Sequence, residues 1–129
     1  MKMRGFIAFA MALSGCVSEA PDPAGPGDGD VFIDMTTELT YAPASAQARV
    51  GQTVVWRNPS TMAHTITADP ALASNAGSVS LPAGAEPFAS PLVATGGSYS
   101  RTFMVVGTYR YFCQPHEGAG MIGTIVVVP

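Results

Sequence analysis

The chain has 129 residues, of which 47% are hydrophobic and 12% are charged, so it holds enough apolar material for the core of one domain. Six basic and nine acidic residues give a net charge of −3, and no run of Lys and Arg forms the basic patch that binding to nucleic acid requires. A nucleic-acid partner is therefore excluded. We expect the protein to be a monomer, and we expect attraction of a partner by long-range charge to be modest and screened by salt.

The N-terminus has the pattern of an export signal. Two basic residues precede an apolar run over residues 5–13, which is too short to span a bilayer and is typical of a secretory signal. The sequence Leu13-Ser14-Gly15-Cys16 resembles the lipobox of bacterial lipoproteins, and the resemblance implies that residues 1–15 are removed and that Cys16 is lipidated. We therefore expect an exported, periplasmic or otherwise extracytoplasmic protein that is anchored to a membrane. An ordinary signal peptide with a chance cysteine is the alternative.

Residues 16–30 begin at the expected lipidation site and are rich in Pro, Gly and Asp, a composition that cannot build a core. A coil of this length reaches about 20 Å, so the segment is predicted to be a flexible tether that links the membrane to a domain over residues 31–129. A disordered terminus without lipid has the same composition and remains an alternative.

The chain has two cysteines, Cys16 and Cys113. If Cys16 is lipidated, Cys113 is a solitary thiol in an oxidising compartment, where it needs an occupant to be safe from oxidation. A disulfide between the two is the competing interpretation.

From Val31 onward, β-branched and aromatic residues occur in short runs separated by Gly and Pro, which predicts strands. The predicted strands cover residues 31–36, 48–50, 53–57, 64–67, 98–105, 108–113 and 122–128. Residues 68–97 predict mostly loop, with a short helical turn near residues 70–74. Many short strands with frequent turns predict an all-β fold, an antiparallel Greek-key β-sandwich. The residues expected in its core include Met35, Trp56, Phe103 and Met104.

Three residues with metal-binding side chains lie on one short connection between predicted strands. Cys113, His116 and Met121 have the spacing Cys-x₂-His-x₄-Met, and the other histidine of the chain, His64, lies where a loop enters a strand. A thiolate, two imidazoles and a thioether suit copper that changes between Cu(I) and Cu(II), and a His₂Cys plane with a long axial Met is the blue-copper arrangement. The sequence therefore predicts one copper site with this donor set.

The segment from Tyr111 to Met121, Tyr-Phe-Cys-Gln-Pro-His-Glu-Gly-Ala-Gly-Met, resembles the copper loop of the cupredoxin family, most closely of its plastocyanin-like and amicyanin-like members. Residues 54–58 with 64–66 resemble the strand and loop that carry the family's first histidine, and residues 96–103 resemble its strand before the copper hairpin. The resemblance covers residues 31–129. It implies a cupredoxin fold, a type 1 copper and no catalytic residues, with His64, Cys113 and His116 as equatorial ligands and Met121 as the axial ligand.

The chain departs from the family pattern at two positions beside the ligands. Phe112 stands where plastocyanins usually have a tyrosine that serves as a remote electron port, so that route is not expected here. Thr65 follows the first histidine where the family often has Asn, and we expect its hydroxyl to hydrogen-bond towards Gln114 or the backbone of Cys113. Gln114 and Pro115 are the other residues expected to support the ligands.

These features predict a small electron carrier, not an enzyme, that exchanges single electrons with redox proteins of a membrane or the periplasm. The edge of His116 is the expected electron port, and a small apolar patch around it is expected to dock partners briefly. That patch comprises Met62, Ala63, Pro115, Gly118 and Ala119. A copper storage or delivery lipoprotein is the main alternative, although the Met- and His-rich clusters typical of delivery sites are absent from the sequence. A metal-free scaffold domain is a third interpretation.

Overall fold

Short runs of β-branched and aromatic residues form nine strands within residues 29–129, the part of the chain that the computed structural model describes. The strands are Val31–Met35 (β1), Tyr41–Ala42 (β2), Ser45–Arg49 (β3), Thr53–Arg57 (β4), Thr67–Ala68 (β5), Phe88–Ala89 (β6), Ser98–Thr102 (β7), Gly107–Phe112 (β8) and Ile122–Val128 (β9). Short 3₁₀ helices cover Pro70–Leu72, Ala76–Ser78 and Gln114–Ala119. The expected signal, the lipidation site Cys16 and most of the tether lie outside the described residues.

The strands form two sheets, with the order β2-β1-β4-β7 in one and β3-β9-β8-β5-β6 in the other. This two-sheet architecture confirms the predicted all-β sandwich. Two pairings, β1 with β4 and β3 with β9, are parallel, whereas the other strand pairs are antiparallel. β9 lies between β3 and β8, and every second residue along it is buried. Its apolar sequence therefore fits an inner strand.

Aromatic side chains fill much of the space between the sheets. Trp56 is fully buried, and its indole N–H donates to the Tyr111 hydroxyl at 3.1 Å. The Tyr41 ring packs edge-on against Tyr111 at 4.6 Å between centroids, and its hydroxyl donates to the Thr65 carbonyl at 2.6 Å. The polar atoms of this cluster are thus paired, as burial requires.

The structure confirms that Met35, Trp56 and Phe103 belong to the core. The prediction for Met104 is wrong, because its side chain is 66% exposed. β7 ends at Thr102, and Phe103 turns inward, so the next residue points away from the sandwich at the start of the turn to β8. The alternation of side chains predicts a strand over residues 98–105, whereas β7 ends before Met104.

The strand register defines two ends of the sandwich. The N-terminal pole is the end where β1 and β4 begin and β7 ends, since Val31 lies opposite Val54 and Thr53 lies opposite Thr102. β8 also starts at this pole, at Gly107. The site pole is the opposite end, where β4 ends at Arg57, β8 ends at Phe112 and β9 begins at Ile122. Among residues 29–129, no helix has the length and apolar character needed to cross a bilayer.

Candidate metal centre

Three potential ligands converge at the site pole. Cys113 directly follows β8, His116 lies in the 3₁₀ helix after it, and His64 is held by two backbone hydrogen bonds to Val93, of 2.8 and 3.1 Å. One donor atom from each of the three lies within 4.8 Å of the others. The structure thus unites a histidine and a loop that are about fifty residues apart in sequence.

The distances between these donor atoms fit one shared ion. The Cys113 Sγ lies 3.7 Å from His64 Nδ1 and 3.4 Å from His116 Nδ1. Metal–nitrogen and metal–sulfur bonds of about 2.0–2.3 Å, spread over a plane, place their donors about 3.5–3.7 Å apart. A thiolate with two imidazoles is a donor set that copper favours.

Met121 closes the loop that carries Cys113 and His116. The Cys113 N–H donates to the Met121 carbonyl at 3.1 Å, and the Met121 N–H donates to the His116 carbonyl at 3.3 Å. Gly120 adopts the left-handed conformation with φ 83°, which lets the chain turn back just before Met121. The two backbone hydrogen bonds thus hold the fourth predicted residue against the segment that carries Cys113 and His116, and its side chain is fully buried.

The hydrogen bonds around His64 fix which of its ring nitrogens carries the proton. Asn58 Nδ2 donates to the carbonyls of Met62 and Val93, at 2.7 and 2.8 Å, so its Oδ1 must be the atom facing Ser60. The Ser60 hydroxyl has two oxygen acceptors within reach, Asn58 Oδ1 at 2.6 Å and the Met62 carbonyl at 3.0 Å, so its only hydrogen is directed at an oxygen. His64 Nε2, which is 3.0 Å from the Ser60 oxygen, must then be the N–H donor. This leaves the lone pair of Nδ1 directed at the cluster, ready to bind a metal.

Thr65 links the two segments that carry the ligands. Its backbone N–H donates to the Cys113 Sγ at 3.4 Å, and its hydroxyl oxygen accepts from the Gln114 N–H at 2.8 Å. The expected hydrogen bond towards Gln114 is therefore confirmed. Thr67 extends the link, because its hydroxyl contacts that of Thr65 at 3.0 Å and donates to Gln114 Oε1 at 3.3 Å.

The electrostatic environment of the site favours a neutral His64 ring and a protonated Cys113 thiol, whose proton a metal must displace. Burial, and then the proximity of His116, lower the pKa of His64, which keeps this ring uncharged and able to coordinate. Burial raises the pKa of the Cys113 thiol, while hydrogen bonds from Thr65 and His116 act in the opposite direction. The metal-free site is thus expected to hold a thiol whose proton is released when a metal binds.

The residues predicted around the electron port lie at the surface beside the cluster. His116 and Met62 are half-buried, whereas Ala63, Gly118 and Ala119 are exposed. The rings of His64 and His116 lie 5.0 Å apart. The exposed residues just before His64 and those just after His116 therefore lie side by side. Pro115 is also exposed, and Phe112 is fully buried.

Sequence reasoning missed several residues that shape this pole. Ser60 and Asn58 are buried, and only the spacing of Ser60 four residues before His64 hinted at a contact. Leu92, 66% exposed, lies beside the bridge between Val93 and His64. Glu117 accepts from the N–H groups of Ser74 and Asn75, each at 3.0 Å, and these bonds lower the pKa of its carboxyl group. It therefore ties the ligand loop to the segment after β5.

Comparisons with known proteins agree with this geometry. Residues 29–128 match the family described as copper binding proteins, plastocyanin/azurin family. A plastocyanin of Scenedesmus fuscus is 41% identical over 105 residues, which are 76% of this chain and 99% of that protein. A chloroplastic plastocyanin of Tetradesmus obliquus is 36% identical over 89 residues, 69% of this chain and 59% of that protein.

Among solved structures, the Cu(I) form of a single-site mutant of amicyanin is similar, with a TM-score of 0.60 and 29% identity over 78% of this chain and 83% of that one. The two-sheet fold, the cluster of one cysteine and two histidines and the family match lead to the same conclusion. This chain belongs to the plastocyanin/azurin family of copper binding proteins, the cupredoxins, and its cofactor is copper.

Proposed function

We propose that this protein is a membrane-tethered blue-copper protein that carries single electrons between redox partners and catalyses no reaction of its own. The observation that carries the proposal is the position of the Cys113, His64 and His116 donor atoms within 4.8 Å of one another. These three residues would hold the copper, and the buried Met121 of the same loop would be its fourth, weaker ligand. Copper held there supplies a one-electron couple between Cu(I) and Cu(II).

The surroundings of the ligands favour electron transfer without rearrangement. His64, Cys113 and Met121 are fully buried, and hydrogen bonds with Ser60, Thr65 and the loop backbone hold them in place. Ligands fixed by packing and hydrogen bonds keep their positions when the charge of the site changes. The exclusion of water favours the less charged form of the site and so raises its reduction potential.

His116 is the proposed port for electrons. His116 is half-buried, whereas His64 is fully buried. The outer edge of His116 is therefore the ligand surface closest to a docked partner. The small residues Ala63, Gly118 and Ala119, with Met62, leave this edge accessible. Weak redox complexes use interfaces below about 1,200 Å², for which such a patch is sufficient.

The proposed location rests on the N-terminal sequence. The basic, apolar and Cys16-containing pattern of residues 1–16 supports export, lipidation and attachment to a membrane facing the periplasm or another extracytoplasmic space. The proposed partners are redox proteins of that membrane or compartment, which dock on the monomer. Mass spectrometry of the purified N-terminus tests the lipidation.

An absorption spectrum of the copper-loaded, oxidised protein tests the central assignment. Charge transfer from the Cys113 thiolate to Cu(II) should give an intense blue colour, which Cys113→Ser abolishes. Met62→Leu is the matched control, since it changes a half-buried methionine near the site and should leave the colour unchanged. A colourless wild-type protein under oxidant would overturn the proposal. Slow loss of copper to a chelator is expected for buried ligands, whereas fast loss would favour storage or delivery.

A further inference from the structure

We propose that the N-terminal pole of this domain rests on the lipid bilayer through Met104 and Val106, so that the edge of His116 points away from the membrane. The inference depends on the proposed lipid anchor at Cys16 and adds to it a contact surface and an orientation. The partner is the phospholipid surface itself, which the two side chains enter at the level of the headgroups and the upper acyl chains.

The chain that leads to the anchor joins the domain at this pole. The Gly29 carbonyl accepts a hydrogen bond from the Gln52 side-chain amide at 3.0 Å. The neighbouring Gly51 N–H donates to the Phe103 carbonyl at 2.8 Å. The point where the described chain begins is therefore connected, through one tight turn, to the residue that precedes Met104.

Two large apolar side chains project from the same place. Met104 is 66% exposed and Val106 is 47% exposed, and both lie in the turn between β7 and β8. The Phe103 side chain between β7 and this turn is 2% exposed, so the turn has a buried support. Two exposed apolar residues at the tip of one turn are suited to shallow insertion into a bilayer. A single exposed apolar residue is common on protein surfaces and does not indicate a membrane contact.

The length of chain before the domain brings this turn to the bilayer. Residues 17–28 separate Cys16 from Gly29, and a Pro- and Gly-rich coil of that length spans about 20 Å on average. A lipid on Cys16 would therefore keep the N-terminal pole within that distance of the headgroups. Under such confinement, a contact too weak to bind the free protein to vesicles becomes populated.

Charge at this pole neither drives nor forbids the contact. Glu86 and Arg101 line the same pocket as Met104 and have opposite signs. Arg49, at the end of β3, and Asp30, before β1, are exposed at this pole and also have opposite signs, so the four charges balance. The attraction is therefore apolar, and it should act on zwitterionic phosphatidylcholine without the anionic lipids that a basic surface needs.

The strand between the poles sets the position of the copper edge. β8 runs from Gly107 at the N-terminal pole to Phe112, just before Cys113, and at about 3.3 Å per residue it separates the two ends by about 20 Å. With Met104 and Val106 at the headgroups, His116 faces the aqueous phase, where a partner can reach it.

Two solvent-accessible methionines at opposite poles provide the test. The copper-loaded lipidated protein on phosphatidylcholine vesicles is oxidised with chloramine-T, and the rates of sulfoxide formation at Met104 and Met62 are measured by peptide mass spectrometry. The reference is the mature chain, residues 16–129, with Cys16→Ser, in the presence of the same vesicles. We expect Met104 to be oxidised several-fold more slowly in the lipidated protein and Met62 to be unaffected.

Two variants make the test specific. Val106→Asp should restore rapid oxidation of Met104 on vesicles, whereas Leu72→Asp, which changes an exposed apolar residue away from the N-terminal pole, should not. If the protein floats with the vesicles but Met104 is as reactive as in the reference, or Met62 is protected instead, the orientation is overturned and the anchor stands. If the protein does not float with the vesicles, the lipid anchor itself fails, and the orientation fails with it.

Discussion

The orientation of His64 depends on one hydroxyl group, that of Ser60. Replacement by alanine removes the Ser60 oxygen that accepts from His64 Nε2, and it also removes the hydroxyl that donates to Asn58 Oδ1, so the Thr36 backbone remains as a hydrogen-bond partner of the ring. Each such hydrogen bond contributes about 0.5–1.5 kcal/mol, and Ser60 makes one with His64 and one with Asn58. We therefore expect Ser60→Ala to lower the free energy of unfolding of the metal-free protein by about 1–3 kcal/mol. Nitrogen NMR should also show that the ring no longer holds its proton on Nε2 alone.

Ser60→Thr is the control for this prediction, because threonine keeps a hydroxyl at the same position. It should preserve the tautomer of His64, and the electron paramagnetic resonance spectrum of the Cu(II) form should match that of the wild type. If the alanine variant has wild-type stability and an unchanged tautomer, Ser60 does not position His64.

Ala119 tests the surface around His116. A lysine at this exposed position places a bulky charge on the patch where partners are proposed to dock, which should slow electron transfer by roughly tenfold through a weaker encounter. Stopped-flow reduction by a redox partner measures the rate, and the blue absorption should be unchanged, because Ala119 is not a ligand. Ser100→Lys, on the exposed face of β7, is the control. Equal rates for both variants would place the port elsewhere.

The hairpin of β8 and β9 supports the copper loop from below. Gly123 lies opposite Tyr111 in the register, and a Cβ at this position would overlap the Tyr111 ring. Gly123→Ala should therefore displace the ring that holds Trp56 and cost about 1–3 kcal/mol of stability, measured by urea unfolding. Gly118→Ala is the matched control, since nothing lies within 4 Å of its Cβ. Equal stability of the two variants would contradict this account of the packing.

The strands with clear alternation or long apolar runs were predicted from the sequence. Of the shortest, β2 and β6 have no predicted counterpart, and the strand predicted over residues 64–67 overlaps β5 only at Thr67. β1, β4, β8 and β9 fall where the β-branched and aromatic runs lie. β2, β5 and β6 have two residues each, too few to show a period. The parallel pairing of β1 with β4 was also not predicted, because pairing direction depends on where intervening loops carry the chain.

The candidate ligands could be found in the sequence because their chemistry is concentrated in one motif and one remaining histidine. The residues that orient them could not, since Ser60 and Asn58 have ordinary polar side chains whose partners are set by tertiary contacts. The role of Thr65 could be predicted only in part. The resemblance indicated its position, and only the structure shows that its hydroxyl accepts from Gln114 while its backbone reaches Cys113.

The buried tyrosines make the stability of the whole domain sensitive to alkaline pH. Burial raises the pKa values of Tyr41, Tyr109 and Tyr111 above the ordinary value of 10.0. The unfolded chain therefore loses these protons first, so their contribution to stability is complete below pH 10 and decreases as the pH rises above it. Urea unfolding of the metal-free protein should show a lower midpoint at about pH 11 than at about pH 9.

Tyr109→Phe separates this effect from general alkaline damage. The variant removes one of the three raised groups at the pole away from the copper ligands, so its midpoint should fall less than that of the wild type between the two pH values. It also loses the hydrogen bond from Tyr109 to the Val105 carbonyl, which lowers the midpoint equally at both. An identical fall in both proteins would exclude Tyr109 as a contributor.

The sealed position of Trp56 has a practical consequence. It is the chain's single tryptophan, and its hydrogen-bond partner Tyr111 precedes Cys113 by two residues along the chain. Its fluorescence therefore comes from one rigid, dry environment close to the copper ligands. Without any attached dye, the colour and intensity of that emission report both the uptake of the metal and the opening of the sandwich, in the same cuvette.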